Sequence, residues 1–482
     1  MKNKVIIIGS GLGGLECGVM LSKEGYEVCV LEQAHTLGGC LQSFKRNGHI
    51  IDTGMHHIGS MQEGQILNQY FKYFGILEEL NYIHLDDNFD NFIFPDASTY
   101  SYLTSIERFK SSLIERFSKE KQGIEQFCNK IRSIGESISI DVHKSGHFSV
   151  SDISNLSISA SEYIKHCTND TVLQNVLAAN NPLYAGVENR SNLYHLSMTS
   201  YSHLQGSVRF IGGTQQIADL MVKQIENNGG KVLNNSKVVS LDLVENKITS
   251  ATLANGEKIE GDYFISSAHP SITFDLFGST KLIRKAYRSR INSLPNTYGF
   301  YTVYLILKKD SVKYTNNNIY CYGINNVWDT LTDPNTLKPN FVFISSQTNN
   351  VISLITPIDH SIFDPNRGED YYKLKDRINN NIIDFVSKYR PDITSNIDRI
   401  YSASPLTYAD YTGTPDGSAY GLLKDYKTPM TTLLPARTKI PNLLLTGQNL
   451  NVHGALGVSI SSGITCAELL GQEYLSKKIG NC

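Results

Sequence analysis

The chain opens on an uninterrupted apolar run. Residues 4–8, KVIII, are β-branched at four of five positions, the pattern of a strand buried on both faces. The run passes into Gly9-Ser10-Gly11-Leu12-Gly13-Gly14. Residues 14–24, GLECGVMLSKE, then read as a helix that turns Leu15, Val19 and Met20 toward a sheet, and Gly25 closes it. Residues 26–31 read as a second strand, ending on Glu32. Much later, 213–227 (GTQQIADLMVKQIEN) has a helical period and leads into a meander at 230–233, 237–243, 248–253 and 263–266, with turns at Glu245-Asn246 and Asn255-Gly256. Residues 442–446 read as a last buried strand before a glycine loop and a helix. Helix-length patterns occupy 104–134 and 161–178. Strand patterns recur at 298–307, 319–322, 341–345 and 352–355.

The opening strand, glycine loop, helix, strand and acid form a unit with a chemical purpose. Gly9 allows the tight turn, Gly11 lets backbone approach a pyrophosphate, and Gly14 lets the helix lie close to the strand. The N–H groups that open the helix, at Leu12 and Gly13, face the phosphates, and Glu32 accepts from the adenosine ribose. A second glycine pair, Gly38-Gly39, follows the acid, and no second GxGxxG unit appears. That favours FAD, a long cofactor held across the domain, over a nicotinamide alone.

Composition narrows the picture further. At 482 residues the chain exceeds one ordinary core, so two interleaved domains are expected. A formal net charge of -2 argues against nucleic-acid binding driven by overall charge. No apolar run reaches the roughly 18 residues that span a bilayer. The eight cysteines include no CxxC pair and suggest neither a zinc site nor a disulfide framework. No metal is expected, and a reducing cytoplasm is the expected compartment.

Residues 37–64, LGGCLQSFKRNGHIIDTGMHHIGSMQEG, resemble the corresponding segment of the retinol saturases, within the phytoene desaturase and carotenoid isomerase family of FAD-dependent oxidoreductases. FIGGT at 210–214, the NGGKV, KVVSL and FISSA segments within 228–268, SPLTYADYTGTPDGSAYG at 404–421, and the closing PNLLLTGQNLNVHGALGVSISSG extend the resemblance over nearly the whole chain. It implies an α/β fold of the amine-oxidase and phytoene-desaturase kind. A discontinuous Rossmann-type FAD-binding domain (1–75, 205–275, 435–482) would carry an inserted α+β substrate domain (76–204, 276–434). It also implies that Cys40, Leu41 and Gly54 lie along the cofactor, that the Val238 backbone meets the adenine, and that Gly447, Gln448, Gly457 and Val458 meet the flavin end. Many relatives carry an acid where this chain has Gln448.

The implied activity is hydride transfer between flavin N5 and a C=C bond of a polyene or isoprenoid lipid, as a saturase. Desaturation or cis–trans isomerisation is the alternative on the same fold. A non-catalytic isoprenoid-lipid-binding protein and an amine or protoporphyrinogen oxidase are further ones. NAD(P) would serve as a transient electron partner. His56 is a candidate proton donor, because imidazole titrates near working pH, and His453 is a second. His57 is expected to point away from His56, as neighbours in extended chain do. Asp52 is expected to brace the loop and His269 to end a strand near the adenosine. The basic residues of 104–134 (Arg108, Lys110, Arg116, Lys119, Lys121) suggest either a solvated face or a peripheral membrane contact.

Overall fold

A computed structural model describes residues 3–137, 154–278 and 280–482. The expected 76–204 block therefore includes a stretch, 138–153, outside the described residues. Three apolar strands begin the architecture: β1 (Lys4–Ile8), β2 (Glu27–Leu31) and, from the far end of the chain, β19 (Leu443–Leu445). With β9 (Lys231–Leu233) and β13 (Tyr263–Ser266) they form a parallel sheet in the order β19-β13-β1-β2-β9. Val5, Ile6 and Ile7 are fully buried, each worth ~1.5–3 kcal/mol.

The helix Leu12–Lys23 starts two residues earlier than its apolar period suggests, because Gly11 already has the extended backbone of an N-cap. Leu15, Val19 and Met20 meet Ile7 and Val5 as expected. The opposite side is buried too, against helices Gln215–Asn227 and Gly454–Leu470. A Cβ on Gly18 would sit 2.6 Å from the Ile225 side chain.

The expected meander is corrected: 230–233 and 263–266 pair parallel as β9 and β13, and only β10 (Val238–Val244) and β11 (Lys247–Leu253) pair antiparallel, extended by β12 (Lys258–Glu260), a strand the pattern did not mark. The largest sheet has the order β18-β14-β17-β16-β15-β6-β7. Its strands are β6 (Asp90–Ile93), β7 (Thr99–Tyr102), β14 (Gly299–Leu307), β15 (Asn318–Tyr322), β16 (Phe341–Ser346), β17 (Val351–Ile358) and β18 (Ile397–Ala403). β15 and β6 run parallel and the other pairs antiparallel. Strand alternation sorts β16 cleanly. Val342 and Ile344 face Ile378 and Ile382 of helix Glu369–Ser387, whereas Phe341 and Phe343 join the aromatic cluster on the other face. Two short ribbons complete the fold. β3 (Ser43–Arg46) pairs with β4 (His49–Asp52), and β5 (Tyr82–His84) pairs with β8 (Val208–Phe210).

Two helical patterns are each broken in two. Residues 104–134 give Ile106–Arg116 and Lys121–Ser137, parted where Phe117 leaves helical geometry and stacks on Tyr100 at 5.7 Å. Residues 161–178 give Ala160–Cys167 and Thr171–Ala178, because Asp170 caps the second with bonds from the Val172 and Leu173 N–H groups. The apolar face of the first pair is already committed: Ile106, Phe109, Leu113, Ile124, Phe127, Ile131 and Ile134 are buried in the aromatic cluster. Arg108 pairs with Asp87, Lys110 with Glu107, and Lys121 with Glu125. No described helix is long and apolar enough to cross a membrane.

Candidate active site

A cavity, ≈ 320 Å³ in volume, runs from the glycine loop to the inner face of the large sheet. Two helices open onto it. One begins at Gly11 and the other, Gly454–Leu470, at His453, and neither has a side-chain cap. Their first-turn N–H groups, with the positive ends of both helices, thus suit an anion or an electron-rich ring.

The glycines hold this geometry by close approach. Gly9 has φ +94°, a region closed to most side chains. A Cβ on Gly14 would lie 2.1 Å from the Gly9 carbonyl oxygen, and one on Gly457 would lie 2.4 Å from that of Val452. Nothing lies within 4 Å of a Cβ built on Gly11, so that backbone stands open toward the cavity. Glu32 ends β2 with its carboxylate held by the Ser10 N–H (2.8 Å), the Ser10 hydroxyl (2.7 Å) and the Ala34 N–H (2.8 Å). A carboxylate has about four acceptor sites, so capacity is left for a ribose hydroxyl. Ser236, two residues before Val238, donates its N–H to the Glu32 carbonyl. This cradle of bare backbone and a pre-positioned carboxylate fits a dinucleotide.

Of the residues expected at a cofactor, Gly11, Leu12, Gly13, Gly38, Gly39, Cys40, Leu41, Gly54, Gly447, Gln448 and Val458 line the cavity. Gly9, Gly14, Glu32, Val238 and Gly457 lie behind or beside the lining. Cys40 is exposed and lines the cavity, and desolvation by the surrounding protein raises its thiol pKa. Asp52 braces the loop: its Oδ1 accepts from the Ser43 hydroxyl (2.7 Å) and the Thr214 N–H (2.8 Å), tying the FIGGT turn to β4. His269 caps helix Pro270–Asp275 and holds Asn296 at 3.1 Å.

The expectation for the histidine pair is corrected. His56 and His57 both line the cavity, and both rings approach Phe343, at 6.1 and 5.9 Å. Strand β4 stops at Asp52 and the irregular backbone after it does not alternate. Neither nitrogen of His56 has a hydrogen-bond partner among the described residues. Burial, reinforced by Arg209, lowers the His56 pKa to about 3, so the ring is neutral at pH 7. His453 is tied down instead: its Nε2–H donates to the Leu422 carbonyl at 3.0 Å and its ring stacks on Tyr420. Burial and nearby Lys424 lower its pKa to about 3.

Several groups escape a reading of the sequence. Lys424 is buried and its ammonium donates to the carbonyls of Thr432 (2.7 Å), Asn449 (2.7 Å) and Leu450 (3.0 Å), fixing the span that leads to the closing helix. Arg209, 2% exposed, reaches Asn318 at 2.6 Å, and Asn318 donates to Asp90 at 2.8 Å. Glu16 crosses from the opening helix to Ser459 and Ser462 of the closing one. For Glu16, Arg209 and Asp90 the available signal was the same, one ionisable residue in an apolar or small-residue run, as in LECGV, SVRFI and NFDNFIF; Lys424, in GLLKDYK, carries no such signal.

Known proteins share this arrangement. The chain is 24% identical over 525 residues to the all-trans-retinol 13,14-reductase of Danio rerio, covering 96% of this chain and 85% of that one. It is 26% identical over 311 residues to the 4,4'-diapolycopen-4-al dehydrogenase of Metabacillus indicus, with 58% of each chain covered. The solved structure of an oxidoreductase from Methanosarcina mazei superposes with a TM-score of 0.64 at 16% identity, covering 95% and 98% of the two chains. The model of the flavin containing amine oxidoreductases matches residues 12–350, most of the chain. Together with the glycine cradle and the two helix ends at one cavity, this makes the chain a member of the flavin containing amine oxidoreductase family, an FAD-dependent oxidoreductase.

Proposed function

We propose that the enzyme acts on C=C bonds of an uncharged polyene or isoprenoid lipid, as a saturase. The observation that carries this reading is the cavity wall, whose lining contains no Asp, Glu, Lys or Arg among the described residues. A protonated amine would enter such a chamber without a counter-ion, at a cost of several kcal/mol. A polyene loses nothing there, and Leu183, Met198, Phe300, Phe341, Phe343 and Ile355 offer it apolar contact. The named activities of the retinol reductase and diapolycopenal dehydrogenase relatives point to the same substrate class.

When bound, FAD supplies or accepts the hydride. The chain's own residues bind and orient it. Gly11, Leu12 and Gly13 would present N–H groups to the pyrophosphate, Glu32 would hold the adenosine ribose, and the Val238 backbone would meet the adenine. Gly38, Gly39, Cys40, Leu41 and Gly54 would flank the cofactor, and Gly447, Gln448, Gly457 and Val458 would hold its flavin end. The division into a cofactor domain (1–75, 205–275, 435–482) and a substrate domain (76–204, 276–434) belongs to this reading. It is supported by the parallel sheet drawing its strands from the first set and the seven-stranded sheet from the second. The β5–β8 ribbon links the two.

NAD(P)H as a transient electron donor rests on the family resemblance, and anaerobic bleaching of the flavin by NADPH or NADH tests it. Peripheral membrane contact draws no support from 104–134, whose apolar face is internal. The main test is anaerobic incubation of the reduced protein with all-trans-retinol and carotenoids, followed by chromatography. Dihydro products support the saturase. Isomerised products support the isomerase alternative, and oxidised products from a parallel anaerobic incubation of the oxidised protein, with bleaching of its flavin, support the desaturase. Absence of substrate-dependent flavin reoxidation with every polyene defeats the reading.

A further inference from the structure

Behind the cavity wall lies a buried polar cluster that cofactor binding does not use. Asp90 opens β6 and is fully buried. Its register partner on β15 is Asn318, and strand alternation sets both on the face that carries Phe92, Tyr320 and Phe343. Asp90 Oδ1 accepts from Asn318 Nδ2 at 2.8 Å and Oδ2 from the Tyr320 hydroxyl at 3.2 Å. His57 Nε2 stands 3.9 Å from Oδ1 and has no hydrogen-bond partner among the described residues. The His57 ring is set between Phe343, stacked at 22°, and His203 at 4.7 Å. His57 and His203 both line the cavity, and His203 Nδ1 is engaged by the Ser207 hydroxyl at 2.9 Å.

We propose that His57, backed by Asp90, is the proton-exchanging group of the cavity, and that its neighbour His56 is not. The distinction is geometric. Both imidazoles reach the cavity, but His57 alone has a carboxyl group within a small side-chain movement of a ring nitrogen. Such contacts are commonly long before substrate binds and tighten afterwards. An imidazole takes a proton on one nitrogen and releases one from the other, so it can pass a proton from a buried acid to a substrate. Asp90 acts through His57 and is a positioning residue. Arg209, held to the same Asn318, stabilises the carboxylate left behind.

The inference rests on the reading of the cavity as a site of C=C reduction. In that step the π pair of the double bond is consumed as two C–H bonds form. One carbon receives the hydride that the reduced flavin supplies, and flavin is oxidised. Its neighbour receives the proton from His57, and the Asp90 proton moves to His57, leaving a carboxylate. Burial supports the direction. It holds the His57 imidazole neutral, with His203, Arg209 and His56 adding to the effect, and it raises the Asp90 carboxyl to about 7 against the pull of Asn318, Tyr320 and Arg209. Below about pH 7 the pair therefore carries its proton on Asp90, and above it the donor is lost.

The test uses flavin-loaded, reduced protein and all-trans-retinol as probe. H57Q is expected to lower the rate by ~100-fold or more with flavin absorbance and melting temperature retained, and H56Q by less than ~10-fold. D90N, which preserves shape, is expected to abolish the fall in rate that wild type shows as pH rises through about 7. Wild-type rates and an unchanged pH profile in H57Q and D90N would overturn the proposal. If wild type itself reduces no polyene, the substrate reading fails, and nitrogen NMR of labelled histidine decides the dyad separately. His57 ring signals that move as Asp90 titrates in wild type, and not in D90N, sustain it. Signals that stay still in both overturn it.

Discussion

Glu16→Gln should stabilise this protein, and increasingly so as pH rises. Glu16 is 0% exposed on the opening helix and faces the closing one. Its titratable neighbours are Tyr70, Cys17 and Cys466, not a cation. Burial raises its pKa from 4.5 to about 8, against the opposing bonds from Ser459 and Ser462. The bonds fit a neutral acid. The Ser459 hydroxyl donates to Oε1. The Ser462 hydroxyl donates to Oε2 (2.7 Å) and lies 2.9 Å from the Val458 carbonyl, so against a neutral acid it can turn its hydrogen to Val458 and accept from Oε2 instead. Glutamine reproduces every one of these, with the amide oxygen at Ser459 and the NH₂ at Ser462.

The sign follows from linkage. A carboxyl whose folded pKa is raised costs nothing below about pH 4.5, where both states are protonated. Between there and pH 8 the folded state must keep a proton that the unfolded state gives up. At 1.36 kcal/mol per pH unit the cost reaches about 3 kcal/mol at pH 7 and levels off at about 5 kcal/mol above pH 8. Urea unfolding of wild type and E16Q at intervals from pH 5.5 to 8.5 measures it, with the gain of E16Q growing across the series. A pH-independent difference, or a variant weaker than wild type throughout, would refute the argument and place a charged carboxylate between the helices.

Gly14→Ala puts a Cβ 2.1 Å from the Gly9 carbonyl oxygen; the loop must shift, at a cost of ~1–3 kcal/mol, and flavin bound per protein should fall sharply on an absorbance spectrum. Lys424→Met leaves three buried carbonyls without their donor. At ~1–3 kcal/mol for an unsatisfied group it should lower the melting temperature by several degrees and weaken flavin retention. Cys40→Ser should bind flavin as wild type does, and acid precipitation of either protein should release all of the flavin, since backbone approach and not a thioether is assigned to Cys40. Putrescine should leave the oxidised flavin unreduced under anaerobic mixing, because the cavity lining holds no carboxylate to meet its charge.

The glycine cradle was legible because its logic is local: Gly9, Gly11, Gly14 and Glu32 lie within one strand–helix–strand unit, and spacing alone relates them. The β10–β11 hairpin was legible for the same reason, since its turn sits in sequence between the strands, but the pairing of β9 and β13 with the opening strands was not, because those partners lie far away in the chain. The histidine pair was not. Its reading assumed extended backbone past Asp52, and whether β4 continues depends on contacts from β8 and β16, far away in the chain. Asp90 and Arg209 were passed over because one ionisable residue in an apolar run looks the same in sequence whether it is buried or at the surface, and Lys424 because its neighbours Asp425 and Lys427 give it the look of a solvated turn. The break at Phe117 was hidden because the apolar period continues through it, and only the partner ring of Tyr100 turns Phe117 aside.

The order β19-β13-β1-β2-β9 has a consequence for synthesis. The sheet that begins with the fourth residue is completed by residues 443–445, and the helix that covers it ends at Leu470. While the ribosome is still at work, β13 waits for β19, almost two hundred residues later, and the opening helix waits for the closing one, more than four hundred residues away, with the apolar surfaces meant for them uncovered. Pairings that span such distances form slowly. Residues 443–470 therefore act as a latch on the nascent chain, and a product cut short before them would present an open sheet edge and an exposed helix face to chaperones and proteases.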